Sequence, residues 1–475
     1  MKNKKKFSGN YFKEFGTAIA KGDIGVKLSL LVMGAGYIAR KQIINGLIMI
    51  ALEAVFIVTC VFYAAPNLAK FGTLGTVQFE QVFDPLTLTS KVNDYDNSFL
   101  ILLNSIISLC IIVAFIFVYI ANIKAVYRLQ QQKEAGKHIN TFREDIRALF
   151  NEKFHITLLS LPCLGIILMN IIPILVLVAV AFTNYDQQHM PPSALFTWVG
   201  WKNFKQLFTN STTLTFGYSF GKILIWTLEW AVLSTLTTFI GGILMAQFIN
   251  SKKTKLPKLW RTLFMVAIAV PQFVTLLLVR NFFADSGIVN TICSNIGLTD
   301  FLKSMGLVSS NLTYIPFLTN PTWAKVMIVL INIWVGVPYQ MLIATGVLMN
   351  IPVDQLESAR IDGANSFQIF WKITMPYVLF ITGPSLITDF VRNINNFNVI
   401  YLLTQDVYVT SDQLLANSNA KEVDLLVTWL FRLTNEYYNY KIASVIGIIV
   451  FIICAGFTLV TFTQTIKGSR EEDFR

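Results

Sequence analysis

Long apolar runs recur along the chain, each about the length of a membrane-crossing helix, with shorter polar stretches between them. A crossing helix needs ~20 predominantly apolar residues, because ~1.5 Å of rise per residue must cover ~30 Å of hydrocarbon. Eight segments satisfy this: residues 43–64, 99–120, 156–182, 223–248, 263–283, 326–348, 377–403 and 442–462, the fourth and seventh being the least uniformly apolar. A further apolar stretch at 24–39 is broken by Gly34 and Gly36 and closed by Arg40 and Lys41. It is expected to lie in the membrane interface, the alternative being a short re-entrant hairpin.

Composition agrees with this pattern. Of 475 residues, 54% are hydrophobic and only 14% are charged, and the mean hydropathy is +0.57. That is more apolar surface than a soluble core of this size holds. The expected fold class is therefore an all-α polytopic membrane protein with about eight transmembrane helices. The net charge of +11 follows from topology, since loops rich in Lys and Arg resist translocation. The N-terminal arm and the stretches from Lys124 to Lys153 and from Lys252 to Arg261 are basic, whereas the loops at 70–96 and 405–440 carry at least as much acid. Both chain ends are accordingly expected in the cytoplasm, with lipid headgroups and not nucleic acid as the counter-charge. The arm lacks the short apolar core and cleavage pattern of a secretory signal and is expected to remain in the mature protein.

No constellation for catalysis is legible. The chain has no GxxxxGK[ST] loop to cradle phosphates, no HExxH, no nucleophile elbow, and only three histidines, His138, His155 and His189. The five cysteines are scattered, without disulfide or metal-ligand spacing. Neither a metal site nor a bound cofactor is expected in this chain.

The loop at 352–376, PVDQLESARIDGANSFQIFWKITMP, is too polar and too long for a tight connection, yet it is patterned like two short helices. Pro352 suits a first helical turn, Gly363 a left-handed C-cap, and Asn365 or Ser366 a second N-cap. Phe367, Phe370 and Ile373 then share an apolar face, and Pro376 marks entry into the seventh segment. Such a face needs cover, either from the chain's own bundle or from a partner.

The twenty residues from Glu357 to Pro376, ESARIDGANSFQIFWKITMP, resemble the EAA signature of permease subunits of bacterial ABC importers, E-A-A-x-x-D-G-A followed about a helix later by I-x-x-P. Ser358 stands in place of the usual first alanine. FTNYD at 182–186, WVGWKNFKQLF at 198–208 and VPQFVTLLLVRNFFADSGIVN at 270–290 are similar to the larger maltose/maltodextrin permease of such importers, the MalF type. The resemblance spans residues 150–470 and implies a type I ABC importer permease (MetI-like) core. It implies that the elbow docks on a separate ATPase, with Glu357, Ala359, Asp362, Gly363, Ala364, Phe367 and Pro376 as coupling residues and Glu357 paired with an ATPase base. ATP and Mg would be handled by those partner subunits. The bulky external insert that the best-known members carry after the third span has no counterpart in this chain.

Two segments carry polar stripes that lipid cannot face. Asp389, Asn393 and Asn396 fall on one helical face with Arg392 beside them. A mid-bilayer charge costs at least ~2.5 kcal/mol, so Asp389 and Arg392 are expected to pair with each other or to line a wet cavity. Asn332, Gly336 and Tyr339 repeat the arrangement in the sixth segment, beside Pro338. Amides and a phenol suit a neutral polyol; the alternative is helix-to-helix hydrogen bonding with a structural ion pair. The resemblance implies sugar contacts at Asn332, Val335, Gly336, Tyr339, Asp389, Arg392, Asn393 and Asn396, Asp389 and Arg392 being atypical for their positions. Glu229 and Arg280 are further intramembrane candidates, Arg280 alternatively snorkelling to the outer interface, and Glu53 is read as a packing or oligomer contact.

The expected organisation is a cytoplasmic or interfacial arm at 1–42, two transmembrane helices with a basic loop at 43–150, a six-helix permease core at 151–465 and a cytoplasmic tail at 466–475. The expected function is that of a permease subunit, in a bacterial cell membrane, importing maltodextrin-like oligosaccharides. Its partners would be a second homologous permease, two ATPase subunits and an extracytoplasmic sugar-binding protein. The alternative is an ion-coupled secondary transporter with Asp389 or Glu229 as the ion site, for which no internal repeat with paired broken helices is evident.

Overall fold

The computed structural model describes residues 11–84, 89–209, 215–251, 254–405 and 412–468. The start of the basic arm, Lys252, Lys253 and the tail from 469 lie outside the described residues. The chain divides into two compact units, Met1–Gly200 and Trp201–Arg475. The core expected at 151–465 straddles that division.

The first unit opens with α1 (Tyr11–Lys21), α2 (Ile24–Leu28) and α3 (Ala35–Ile38). It continues with α4 (Ile43–Phe71), α5 (Ser98–Glu134), the short α6 (Phe142–Phe150) and α7 (Phe154–Val180); α4, α5 and α7 are long and apolar enough to cross a membrane. A small antiparallel hairpin, β1 (Gln81–Asp84) with β2 (Thr89–Val92), lies in the loop between α4 and α5.

The stretch at 24–39 forms a hairpin of two short helices, α2 and α3, joined by a turn. At its base Arg40 Nη2 donates to both carboxylate oxygens of Asp23 at 2.8 Å, and the Asp23 N–H donates to Gln130 Oε1 at 2.9 Å. At its tip the Leu30 and Met33 carbonyls accept from Tyr119 Oη at 2.7 Å and Asn122 Nδ2 at 3.0 Å, and the Met33 N–H donates to Glu53 Oε2 at 3.0 Å. Tyr119 and Gln130 stand eleven residues apart on α5, so tip and base are separated by ~16 Å along that helix. These side chains satisfy polar groups of the irregular backbone at 29–34, and Glu53, read as a packing or oligomer contact, is one of them.

The second unit is organised around α8 (Phe216–Asn250), α9 (Pro257–Ala269), α10 (Gln272–Phe282), α11 (Pro321–Leu348), α12 (Val353–Ile361), α13 (Ser366–Ile369), α14 (Met375–Ile394), α15 (Phe397–Leu403) and α16 (Tyr440–Gly468). Across the described residues six helices are long and apolar enough to cross a membrane, against the eight segments read from the apolar pattern. The fifth segment is split between α9 and α10, because Pro271 removes a backbone donor and forces Val270 into an extended conformation. The seventh is split between α14 and α15, where Asn396 leaves the helical conformation and its side chain accepts from the Val399 N–H at 3.3 Å as a new N-cap.

Prolines elsewhere are absorbed without a break. Five-residue π turns at Cys60–Ala64, Ile167–Ile171 and Phe370–Thr374 each end two residues before Pro66, Pro173 or Pro376. A proline ring collides with the carbonyl four residues back, and the wider turn relieves that collision while the helix continues.

Candidate functional site

Three stretches of the second unit switch from apolar to polar and back at a common level. On α8, Trp226 and Trp230 belong to one buried apolar cluster and Phe239, Ile243 and Ala246 to another, with Ser234, Thr235 and Thr238 between them. On α11, Ile328 and Ile331 belong to the first cluster and Met341 and Ala344 to the second, with Asn332, Gly336 and Gln340 between. The return pass runs the other way, from Met375 and Val378 through Asp389 and Asn393 to Val399 and Ile400. The result is a polar layer closed at both ends by apolar packing.

Within the layer the buried polar groups satisfy one another. Asn332 Nδ2 donates to Ser234 Oγ at 2.6 Å, and Asn393 Nδ2 donates to Thr235 Oγ1 at 2.9 Å. Trp230 Nε1 donates to the Asn393 carbonyl at 3.1 Å, which also accepts from the Asn396 N–H at 3.2 Å where α14 ends. The Asp389 carboxylate accepts from Gln340 Nε2 at 2.6 Å and pairs with Arg392 Nη2 at 2.8 Å. That pairing matches the sequence expectation and neutralises the guanidinium locally. Backbone approach is close: a Cβ on Gly336 would stand 2.7 Å from Thr238 Cγ2, and one on Gly242 would stand 2.5 Å from Gln340 Cβ.

A cavity of about 370 Å³ opens against this layer. Of the eight expected contact residues, Asn332, Val335, Gly336, Tyr339, Arg392, Asn393 and Asn396 line it; Asp389 does not, and stands behind Arg392 as its anchor. Tyr339 is half exposed and lies 6.0 Å below the Arg392 guanidinium. The lining also includes Thr238, Gln272, Gln340, Asn395 and Asn398, which sequence reasoning passed over. Gln272 follows the Pro271 break, and Gln340 directly follows Tyr339, so polar residues inside apolar segments were the available signal. A second cavity of about 310 Å³, at the break between α9 and α10, shares Gln272, Val335 and Tyr339 and adds Trp334 and Pro271. Amide donors and acceptors thus adjoin an aromatic and aliphatic wall.

The elbow lies at the other end of α14. α12 ends at Gly363 with φ +80, a left-handed residue as expected, and Asn365 caps α13 in a reciprocal pair with the Gln368 side chain, both bonds 2.9 Å. Glu357, Asp362, Gly363, Phe367 and Pro376 are exposed, while Ala359 and Ala364 are partly covered. The expected apolar face is only partly covered: Phe370 packs on the bundle while Phe367 stays outside. Glu357 forms no ion pair within the described residues.

Of the other charges expected within the membrane, Arg280 donates to Gln405 Oε1 at 2.5 Å. Glu229 lies midway along α8, is exposed and lines neither cavity.

Crossing helices, a buried polar layer with an adjoining cavity, and an exposed helical elbow define the class: a multi-pass membrane permease. The profile of the family described as binding-protein-dependent transport system inner membrane component matches residues 238–468. The maltodextrin transport system permease protein MdxF of Bacillus subtilis (strain 168) is 32% identical over 93% of this chain and 95% of its own length. The galactooligosaccharides transport system permease protein GanP of the same strain is likewise 32% identical, over 93% of this chain and 97% of its own. The fold matches that of a bacterial ABC transporter involved in alginate import, with a TM-score of 0.52, 23% identity, and coverage of 69% of this chain and 100% of the other. The chain belongs to the family of binding-protein-dependent transport system inner membrane components. Membership bears out the resemblance read from the EAA-like loop, and the ion-coupled alternative finds no support.

Proposed function

We propose that this chain is one permease half of an ATP-driven importer of maltodextrin-like oligosaccharides. The observation that carries the reading is the amide-lined cavity beside the buried polar layer. Sugar hydroxyls both donate and accept, which suits Asn332, Asn393 and Asn396, while Tyr339 offers a ring for an apolar sugar face. Arg392, neutralised by Asp389, donates without giving the cavity a net charge. The names of the relatives support an oligosaccharide cargo and leave the linkage open, since a maltodextrin and a galactooligosaccharide permease are equally similar.

The exposed elbow supports docking on ATPase subunits, with Glu357 facing a base there and Gly363 permitting the bend; those subunits would bind ATP and Mg. Exposure of Glu229 in the middle of a crossing helix supports cover by a second permease subunit, since lipid is a costly neighbour for a carboxylate. The family description supports an extracytoplasmic binding protein as the donor of cargo. The basic loops support a placement with both chain ends in the cytoplasm.

The test is the reconstituted complex with its ATPase and binding protein, assayed for ATP hydrolysis against a panel of oligosaccharides. Stimulation by α-linked glucans and loss of it in Asn393→Ala are the expected outcomes. Uptake driven by an ion gradient without any ATPase would overturn the reading.

A further inference from the structure

A cavity of about 930 Å³ in the first unit lies where α4 begins, and none of the roles above uses it. Its lining is cationic on one side, with Arg40, Lys41 and Arg143, and apolar on the other, with Ile43, Ile44 and Ile146 exposed. Among the described residues no carboxylate lines it. Arg40 is committed to Asp23, but Lys41 and Arg143 are exposed and form no ion pair within the described residues. The nearest acids on α6 are already engaged: Asp145 accepts from Asn45 Nδ2 at 2.9 Å and Asn140 Nδ2 at 3.2 Å, and Glu144 accepts from the Thr141 N–H at 2.7 Å.

Ile43 is the first residue of a helix apolar enough to cross a membrane, so the cavity sits at a membrane–water boundary whichever side it faces. We propose that it binds an anionic phospholipid, with the phosphate between Lys41 and Arg143 and an acyl chain over the isoleucines. Charge selects the headgroup, and the exposed aliphatic floor selects a lipid over a soluble phosphate, which would leave that floor in water.

The full chain, purified in detergent and titrated with phosphatidylglycerol or phosphatidylcholine, reports occupancy by native mass spectrometry. Lys41 has φ +64, so Lys41→Asn, which tolerates left-handed backbone, is combined with Arg143→Gln to remove both charges without strain. The parent should prefer phosphatidylglycerol by about tenfold and the double variant should lose that preference. Ile44→Glu, which puts a carboxylate in the floor, should abolish it independently. Lys133→Gln with Lys137→Gln, basic residues outside the cavity, should retain it. The proposal is overturned if the double variant keeps the preference, if the Lys133 and Lys137 variant loses it equally, or if inorganic phosphate displaces the lipid.

Discussion

Replacing Gly336 by alanine would place a Cβ 2.7 Å from Thr238 Cγ2 and 3.4 Å from Thr238 Cβ, inside the ~3.5–4.0 Å separation at which carbon atoms pack best. Neither helix can withdraw freely, because Asn332 is bonded to Ser234 at this level and Gly242 sits against Gln340. Overpacking of this kind costs ~1–3 kcal/mol. Thr238→Ser removes the offending methyl and keeps the hydroxyl that donates to the Ser234 carbonyl at 2.7 Å; by itself it should cost at most ~1 kcal/mol. The double variant should therefore be more stable than the sum of the singles by ~1–2 kcal/mol, a coupling of the size expected for residues in contact. Thermal unfolding of the purified chain reads stability, and oligosaccharide-stimulated ATP hydrolysis of the complex reads function. A Gly336→Ala chain as stable as the parent, or one that Thr238→Ser does not rescue, would refute the close approach of α8 and α11. Recovery of stability without recovery of transport would assign Gly336 to the cavity surface as well as to packing.

Other parts of the molecule make separate predictions. Glu357→Ala removes an exposed carboxylate without an ion pair in the described residues, so stability should change by no more than ~0.5 kcal/mol while sugar-stimulated ATP hydrolysis is lost; full stimulation would sink the docking reading. Asp389→Asn keeps an acceptor for Gln340 but frees the charge of Arg392, whose side chain is 60% exposed, so the stability loss should stay near ~1 kcal/mol. Transport of neutral glucans should fall severalfold and recover in Asp389→Asn with Arg392→Gln, and equal impairment of both would contradict the ion-pair account. Asp96, in the loop before α5, accepts from Lys70 Nζ at 2.6 Å and from the Thr76 and Val77 N–H groups at 2.9 and 3.1 Å, which hold its carboxyl below the ordinary value. Its stabilising contribution is therefore present above the ordinary carboxylate range near ~4 and lost as pH falls through the lowered value. Asp96→Asn should flatten the acid side of the first unit's unfolding profile.

Apolar run length located the crossing helices because it measures the property that the bilayer selects. It missed the interruptions at Pro271 and Asn396, since a summed hydropathy is indifferent to one lost donor or one residue turned out of the helix. The elbow was legible in its caps, Gly363 and Asn365 or Ser366, because such residues act on their own neighbours; that Gln368 answers Asn365 came from the structure. The anchoring of the hairpin at 24–39 was not: its partners Tyr119 and Asn122 are 89 residues from the carbonyls they serve, and no local pattern announces them. The same limit explains Asp389. Helical spacing put it on the stripe with Asn393 and beside Arg392, but only the fold reveals that Gln340 joins Arg392 in holding it behind the cavity wall.

The elbow and the cavity are ends of one element. From Pro376, just inside α14, to Asn393 is seventeen residues, or ~26 Å along the axis. At the elbow end the helix joins the π turn at Phe370–Thr374, whose Phe370 is lodged in the apolar cluster with Met375 and Val378. At the cavity end Trp230 grips the Asn393 carbonyl and Thr235 its side chain. A force on the exposed elbow therefore meets a helix clamped to α8 at its far end, and a push at Phe367 on α13 that rotates α14 must also shift Asn393 against Thr235. That geometry makes the polar layer the place where work done at the elbow would appear. It predicts that Asn393→Ala and Thr235→Ala, which cut the same clamp from opposite sides, lower coupling between ATP hydrolysis and transport to similar extents and are not additive when combined. Additive losses would mean that the two residues act on cargo separately and that α14 is not the lever.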